Sequence, residues 1–114
     1  MSTRSTISIE TSAGIYKSIY CHHDGYLDYN GKILKEHYNT AEKVNALIDL
    51  GDISSLGEDL EKTVAYHRDR KEPMHIDSVS FLGDINAQDY NYLFKDGVWF
   101  YWRESHHFSS MSEV

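Results

Sequence analysis

The chain has 114 residues, of which 40% are hydrophobic and 25% charged, so it has the size and composition of one folded domain and not of a disordered chain. Its formal net charge of −7 disfavours general nucleic-acid binding, which needs a basic face. One cysteine, Cys21, excludes an internal disulfide and points to a reducing compartment; no apolar stretch has the length of a membrane span or the form of a signal peptide.

Residues 5–11 alternate, with Ile7 and Ile9 on one side and Thr6 and Ser8 on the other, as in a half-buried strand. Ser12-Ala13-Gly14 reads as a turn. Ile15 to His22 reads as a second strand, with Ile19 and Cys21 on one face and Tyr20 and His22 on the other, and the short connection predicts an antiparallel hairpin. From His23 to Gly31 the residues are turn formers. A short helix is expected from Lys32 to Tyr38. A second follows, capped by Asn39 with Glu42 completing a capping box; Ala41, Val44, Leu47 and Ile48 form its apolar stripe, and Gly51 stops it. A third is expected from Glu58 to Arg70, closed before Pro73, with acids in its first turn and bases in its last.

Ile76 to Leu82 alternates as a strand. Tyr90 to Trp102 carries the strongest hairpin signal: two β-prone runs around Lys95-Asp96-Gly97, where Asp-Gly supplies positive φ. The polar tail, residues 105–114, is expected to fray. The reading is a single α+β domain over 1–114. It has a small antiparallel sheet, made from the N-terminal hairpin and the C-terminal strands, with two to three helices packed on one face.

Charge is uneven. Residues 42–61 hold six acids against Lys43 alone, and residues 62–73 hold four bases against two acids. Two solvated helix faces explain this; an acidic surface for a basic partner is the sharper reading.

Cys21-His22-His23-Asp24 contains four metal-ligating residue types. On a strand, however, Cys21 and His23 share a face while His22 turns away, and no spacing to His37, His67, His75, His106 or His107 matches a metal motif. The same alternation separates Cys21 from His22 as a nucleophile–base pair and groups it with Ile15 and Ile19, as a buried, inert thiol. There is no phosphate-binding glycine loop and no nucleophile elbow. Sequence therefore assigns no catalytic residue, metal or cofactor, and the enzyme question leans to no.

Nine Tyr, four Phe and two Trp are the main compositional anomaly. Trp99 and Tyr101 share one face of the last strand; Phe100 and Trp102 take the other. Either one pair is exposed for protein recognition, or both faces are covered by helices, a partner subunit or the tail.

The chain resembles a family of small, mostly uncharacterised proteins encoded by bacteriophages, prophages and plasmids. The resemblance rests on the opening Met1-Ser-Thr-Arg-Ser-Thr-Ile and on Tyr20-Cys21-His22-His23-Asp24-Gly25-Tyr26. It continues through Gly31, Leu34, His37 and Tyr38, the run from Lys43 to Gly57, and the Tyr92–Trp99 hairpin. At His23 the family pattern has Trp. The resemblance implies a phage or mobile-element origin and a location in the host bacterial cytoplasm, and brings no catalytic residues.

Together these features lead to a non-enzymatic accessory protein that binds and modulates a host macromolecule, such as a defence component. The candidate residues are His22, His23, Asp24, Tyr26 and Tyr29 in the loop, His37, and Trp99, Tyr101 and Trp102 on the hairpin. The alternative is a small-molecule or nucleotide-binding protein, or a small enzyme, with a pocket made by His22, Asp24, Tyr26 and His37. A homodimer joined by exposed aromatics is a third expectation. Membrane association and direct nucleic-acid binding are not expected.

Overall fold

The computed structural model describes residues 2–12 and 14–114, so the turn expected at Ser12-Ala13-Gly14 lies partly outside the described residues. The fold is α+β. Strands β1 (Ser5–Glu10) and β2 (Tyr16–Cys21) form the antiparallel hairpin. Helices α1 (Lys32–His37) and α2 (Ala41–Ile48) follow, then β3 (Ile53–Ser55), β4 (Val64–Ala65) and the short α3 (Tyr66–Arg70). Strands β5 (Asp77–Val79), β6 (Tyr90–Lys95), β7 (Val98–Arg103) and β8 (Ser112–Glu113) complete the chain.

The sheet has eight strands in the order β4-β3-β2-β1-β6-β7-β8, with β5 also paired to β2. It is larger than expected and mixed, not antiparallel throughout. β1 pairs parallel with β6, and β2 parallel with β3. This puts the first strand at the centre of the sheet, paired along both edges, and both of its faces are also covered. Thr6 and Ser8 are buried along with Ile7 and Ile9, and the half-buried expectation fails. The second-face hydroxyls are satisfied laterally: Thr6 Oγ1 donates to Asn91 Oδ1 at 2.9 Å and Ser8 Oγ to Ser18 Oγ at 2.9 Å.

On the first face Ile7, Ile9, Ile19, Tyr92 and Phe94 pack under Leu34 of α1 and Val44, Leu47 and Ile48 of α2. Ala41, placed in that stripe by spacing, is exposed. The cap of α2 is Thr40, whose Oγ1 accepts from Lys43 N at 3.3 Å; Asn39 lies one residue too early. Gly51 takes φ 77°, as a helix stop requires. On the second face Leu82, Ile85, Leu93 and Trp102 form a smaller core, closed by Phe108 and Met111 of the tail. The tail is thus built in as a 3-10 turn, Phe108–Ser110, and an edge strand against β7, not a frayed end.

Two elements depart further from expectation. The helix expected over Glu58–Arg70 reduces to α3, because Thr63 and Ala65 are buried in a fold-back and strand where an amphipathic helix would bury Leu60 and Val64. The strand expected over Ile76–Leu82 shortens to β5. The Asp96-Gly97 hairpin forms as read, with φ 53° and 80° at the two turn residues.

Candidate functional site

The loop after β2 is built on contacts to the start of β1. Backbone pairing continues past Cys21, with His22 N donating to Ile53 O and His23 N to Ser54 O. Gly25 N then donates to Thr3 O at 2.8 Å, and a Cβ on Gly25 would stand 2.8 Å from that oxygen and from Ser5 Cβ, so only glycine lets the chain pass this close. From Leu27 to Gly31 the chain makes a π-helical turn that runs directly into α1, where turn-forming residues had read as open loop. The turn drives Asn30 inward and leaves Tyr26 and Tyr29 outside, each 40% exposed, with ring centroids 6.2 Å apart.

Tyr29 stands at the rim of a groove of about 500 Å³ that runs between α1 and the loop after β3. Lys32, Ile33, Glu36 and His37 line one wall; Leu56, Gly57, Glu58 and Lys62 line the other. His37 Nε2 sits 3.9 Å from a carboxylate oxygen of both Glu36 and Glu58. Past these residues the trench continues into a second hollow of about 310 Å³ reaching Lys43, Ala46 and Leu60. The far wall is held rigidly. Tyr38 Oη donates to Gly57 O at 2.9 Å, Gly57 N to Thr63 Oγ1 at 3.0 Å, and Thr63 Oγ1 to Asp59 O at 2.9 Å. Trp99 Nε1 donates to Tyr38 O at 2.8 Å, tying the C-terminal hairpin to the same wall. The Gly31–Tyr38 and Lys43–Gly57 stretches, only four residues apart in sequence, meet here.

The other candidate residues are dispersed. Trp99 and Trp102 are buried, 4% and 5% exposed, and Tyr101 is half-buried against the main core, so this trio presents no recognition surface. The reading in which both sheet faces are covered, with the tail contributing, is the one realised. His22 opens onto a different groove, with Arg4, Gln88, Asp89 and Glu104, and so does not share a pocket with His37. His23 Nδ1 lies 3.0 Å from Ser2 Oγ, and Asp24 O accepts from Asn30 N within the loop. The pocket of His22, Asp24, Tyr26 and His37 is not assembled. Cys21 is fully buried, and burial pushes its thiol up to about 11. Among the described residues no three His, Cys, Asp or Glu side chains are placed to hold a metal ion.

Sequence reading found Tyr26, Tyr29 and His37 but missed Lys32, Glu36, Glu58 and Lys62. All four fall in segments read as helices; around the last two the chain instead folds back and brings Lys62 against Gly57. No known family matches the chain, and neither a curated protein nor a solved structure matches it.

Proposed function

We propose that this is a non-enzymatic accessory protein of a phage or mobile element. In this reading it acts in the bacterial host cytoplasm by binding and modulating a host protein, through the face made by Tyr26, Tyr29 and the His37 trench. A component of host defence is a target of the right kind. The observation that carries the reading is the exposed tyrosine pair, fixed by a π-helical turn with Tyr29 at the rim of the groove of about 500 Å³. Tyrosines bury much area for little entropy loss, and an adjacent groove accepts the partner's anchoring side chain. Each wall of the trench carries one lysine and one glutamate, Lys32 with Glu36 and Lys62 with Glu58, which offers a partner both signs of charge, and the net charge of −7 speeds encounter with a basic partner.

The test is a photo-crosslinking residue at position 29, with one at Phe81 on the second-face side as control, followed by mass spectrometry from host lysate. One host protein enriched from position 29, and lost on Tyr26→Ala or His37→Ala, is expected. Equal enrichment from both positions, or none above background, overturns the proposal. The small-molecule reading of the 21–38 segment required a pocket shared by His22 and His37, and these open onto separate grooves.

A further inference from the structure

We propose that the hollow between Phe81, Trp102 and Phe108 binds the quaternary ammonium group of a small ligand of the choline type, at a site separate from the His37 trench. The hollow measures about 290 Å³ and lies beside the second-face core. The three aromatic rings line it together with Glu104 and Gly83. Aromatic ring faces and a carboxylate are the groups that recognise an alkylated ammonium ion, because the ring faces carry the negative side of the quadrupole.

The rings stand as walls. Phe81 and Phe108 have centroids 5.6 Å apart and planes at 84°; Trp102 and Phe108 lie 6.4 Å apart at 68°. Rings stacked in parallel would hide their faces, whereas rings at these angles form a corner into which a cation fits. Gly83 makes the floor. A Cβ there would stand 2.5 Å from Phe81 Cε2 and 3.2 Å from Phe108 Cε1, so the two rings close down on a residue without a side chain. The outer wall is open to solvent: Phe81 is 56% exposed, more than Tyr26, Tyr29 or Met74.

The charge of the hollow favours a cation. No lysine or arginine lines it, and Glu104 is its one acid. Among the described residues the lysine and arginine ion pairs go to Asp49, Asp69 and Glu10, so Glu104 has none; the neighbouring Arg103 is drawn away over the Tyr90 ring, 4.2 Å from its centroid. The net charge of −7 adds a long-range attraction. A quaternary ammonium suits this setting better than a lysine-type ammonium, whose three N–H donors would need acceptors that apolar ring walls do not supply.

The experiment is a ¹H–¹⁵N titration of the full chain with choline chloride at constant ionic strength, beside its neutral tert-butyl isostere, dimethylbutanol. Saturable shifts at Gly83, Phe108 and the Trp102 indole are expected, while the Trp99 indole, held on Tyr38 O, stays unmoved. The neutral isostere should bind about tenfold more weakly. Phe81→Leu keeps an apolar side chain at an exposed position and should weaken choline about fivefold; Glu104→Gln should weaken it about threefold. Glu58→Gln removes the same charge in the other trench and should leave binding unchanged. An unshifted Trp99 indole in each variant shows that the fold is intact, so that a loss is local. Non-saturating shifts, equal binding of the isostere, full binding in Phe81→Leu, or equal loss in Glu104→Gln and Glu58→Gln overturns the proposal. The host-protein reading stands or falls separately, since no partner enters this titration.

Discussion

Asn30 carries the polar cost of the core beneath the tyrosine pair. Its side chain is wholly buried, with Nδ2 at 3.3 Å from each of Ser5 Oγ, Cys21 Sγ and His23 O, while its Oδ1 meets no partner. Replacing it by alanine strips three groups, two of them buried, of their contact and opens a void. Asn30→Ala should therefore lower stability by about 1–3 kcal/mol, read as a shift in the urea midpoint. The same variant should speed alkylation of Cys21. In the native protein the buried thiol, raised to about 11, should react only through opening; rapid labelling of the wild type at neutral pH would contradict the burial described here. The burial of Cys21 was legible, because alternation placed it with Ile19. Asn30 was not, because Asp28-Tyr29-Asn30-Gly31 reads locally as a turn and its partner Ser5 lies 25 residues away. For Trp99 and Trp102, alternation told which face each takes but not whether that face is covered.

At the scale of elements, the segment from Gly57 to His75 is held by side-chain bonds that no periodicity reports. Thr63 is buried and its single hydroxyl links Gly57 N to Asp59 O. Thr63→Val keeps the shape and removes the link, so it should cost about 1–3 kcal/mol and loosen the wall opposite His37. Urea unfolding measures the first effect, and amide exchange at Gly57 the second. Further on, His75 is clamped between two carboxylates: Nδ1 lies 2.8 Å from Asp52 Oδ2 and Nε2 3.2 Å from Asp77 Oδ1. Asp52 Oδ1 also accepts from Tyr20 N, so the clamp ties the approach to β5 onto β2. The hydrogen bond and charge of Asp52, then Asp77, raise the His75 pKa above its ordinary 6.5. A raised folded pKa adds stability that is complete below the unfolded value and is lost as pH rises through the folded one. The exposed imidazole limits the gain to less than about 1 kcal/mol. The Tm advantage of the wild type over His75→Gln should thus be largest near about pH 5.5 and disappear by about pH 9. An advantage that grows with pH would reverse the assignment. Spacing found α1, α2 and the hairpins because their information is local; the clamp joins residues 23 apart across two loops.

For the whole molecule, composition and the clustering of strands at both ends were enough to indicate an α+β domain. The central pairing was hidden, because Ser5 to Ile9 align in parallel with residues 85 further along, from Tyr90 to Phe94, and no local pattern encodes a partner at that distance. The tail was misread for the same reason. Its polarity describes the exposed Ser112 and Glu113, but what holds it is Phe108 edge-on to both Phe81 and Trp102, at 5.6 and 6.4 Å between centroids. Beyond it, Val114 N donates to Trp99 O at 3.0 Å and Lys35 Nζ reaches Val114 O at 3.0 Å, so the tail bridges β7 and α1. If the second core depends on this closure, Phe108→Ala should lower stability by about 1–3 kcal/mol, since the ring is only half-buried. Removal of residues 105–114 should do more. It uncovers the second-face core around Trp102, so tryptophan emission should move to longer wavelength, and it leaves β7 as a bare sheet edge, so the shortened chain should self-associate. Unchanged emission and a monomeric mass for the shortened chain would mean that the sheet and the 82–88 segment close the second core alone. The tail would then be an appendage to the fold.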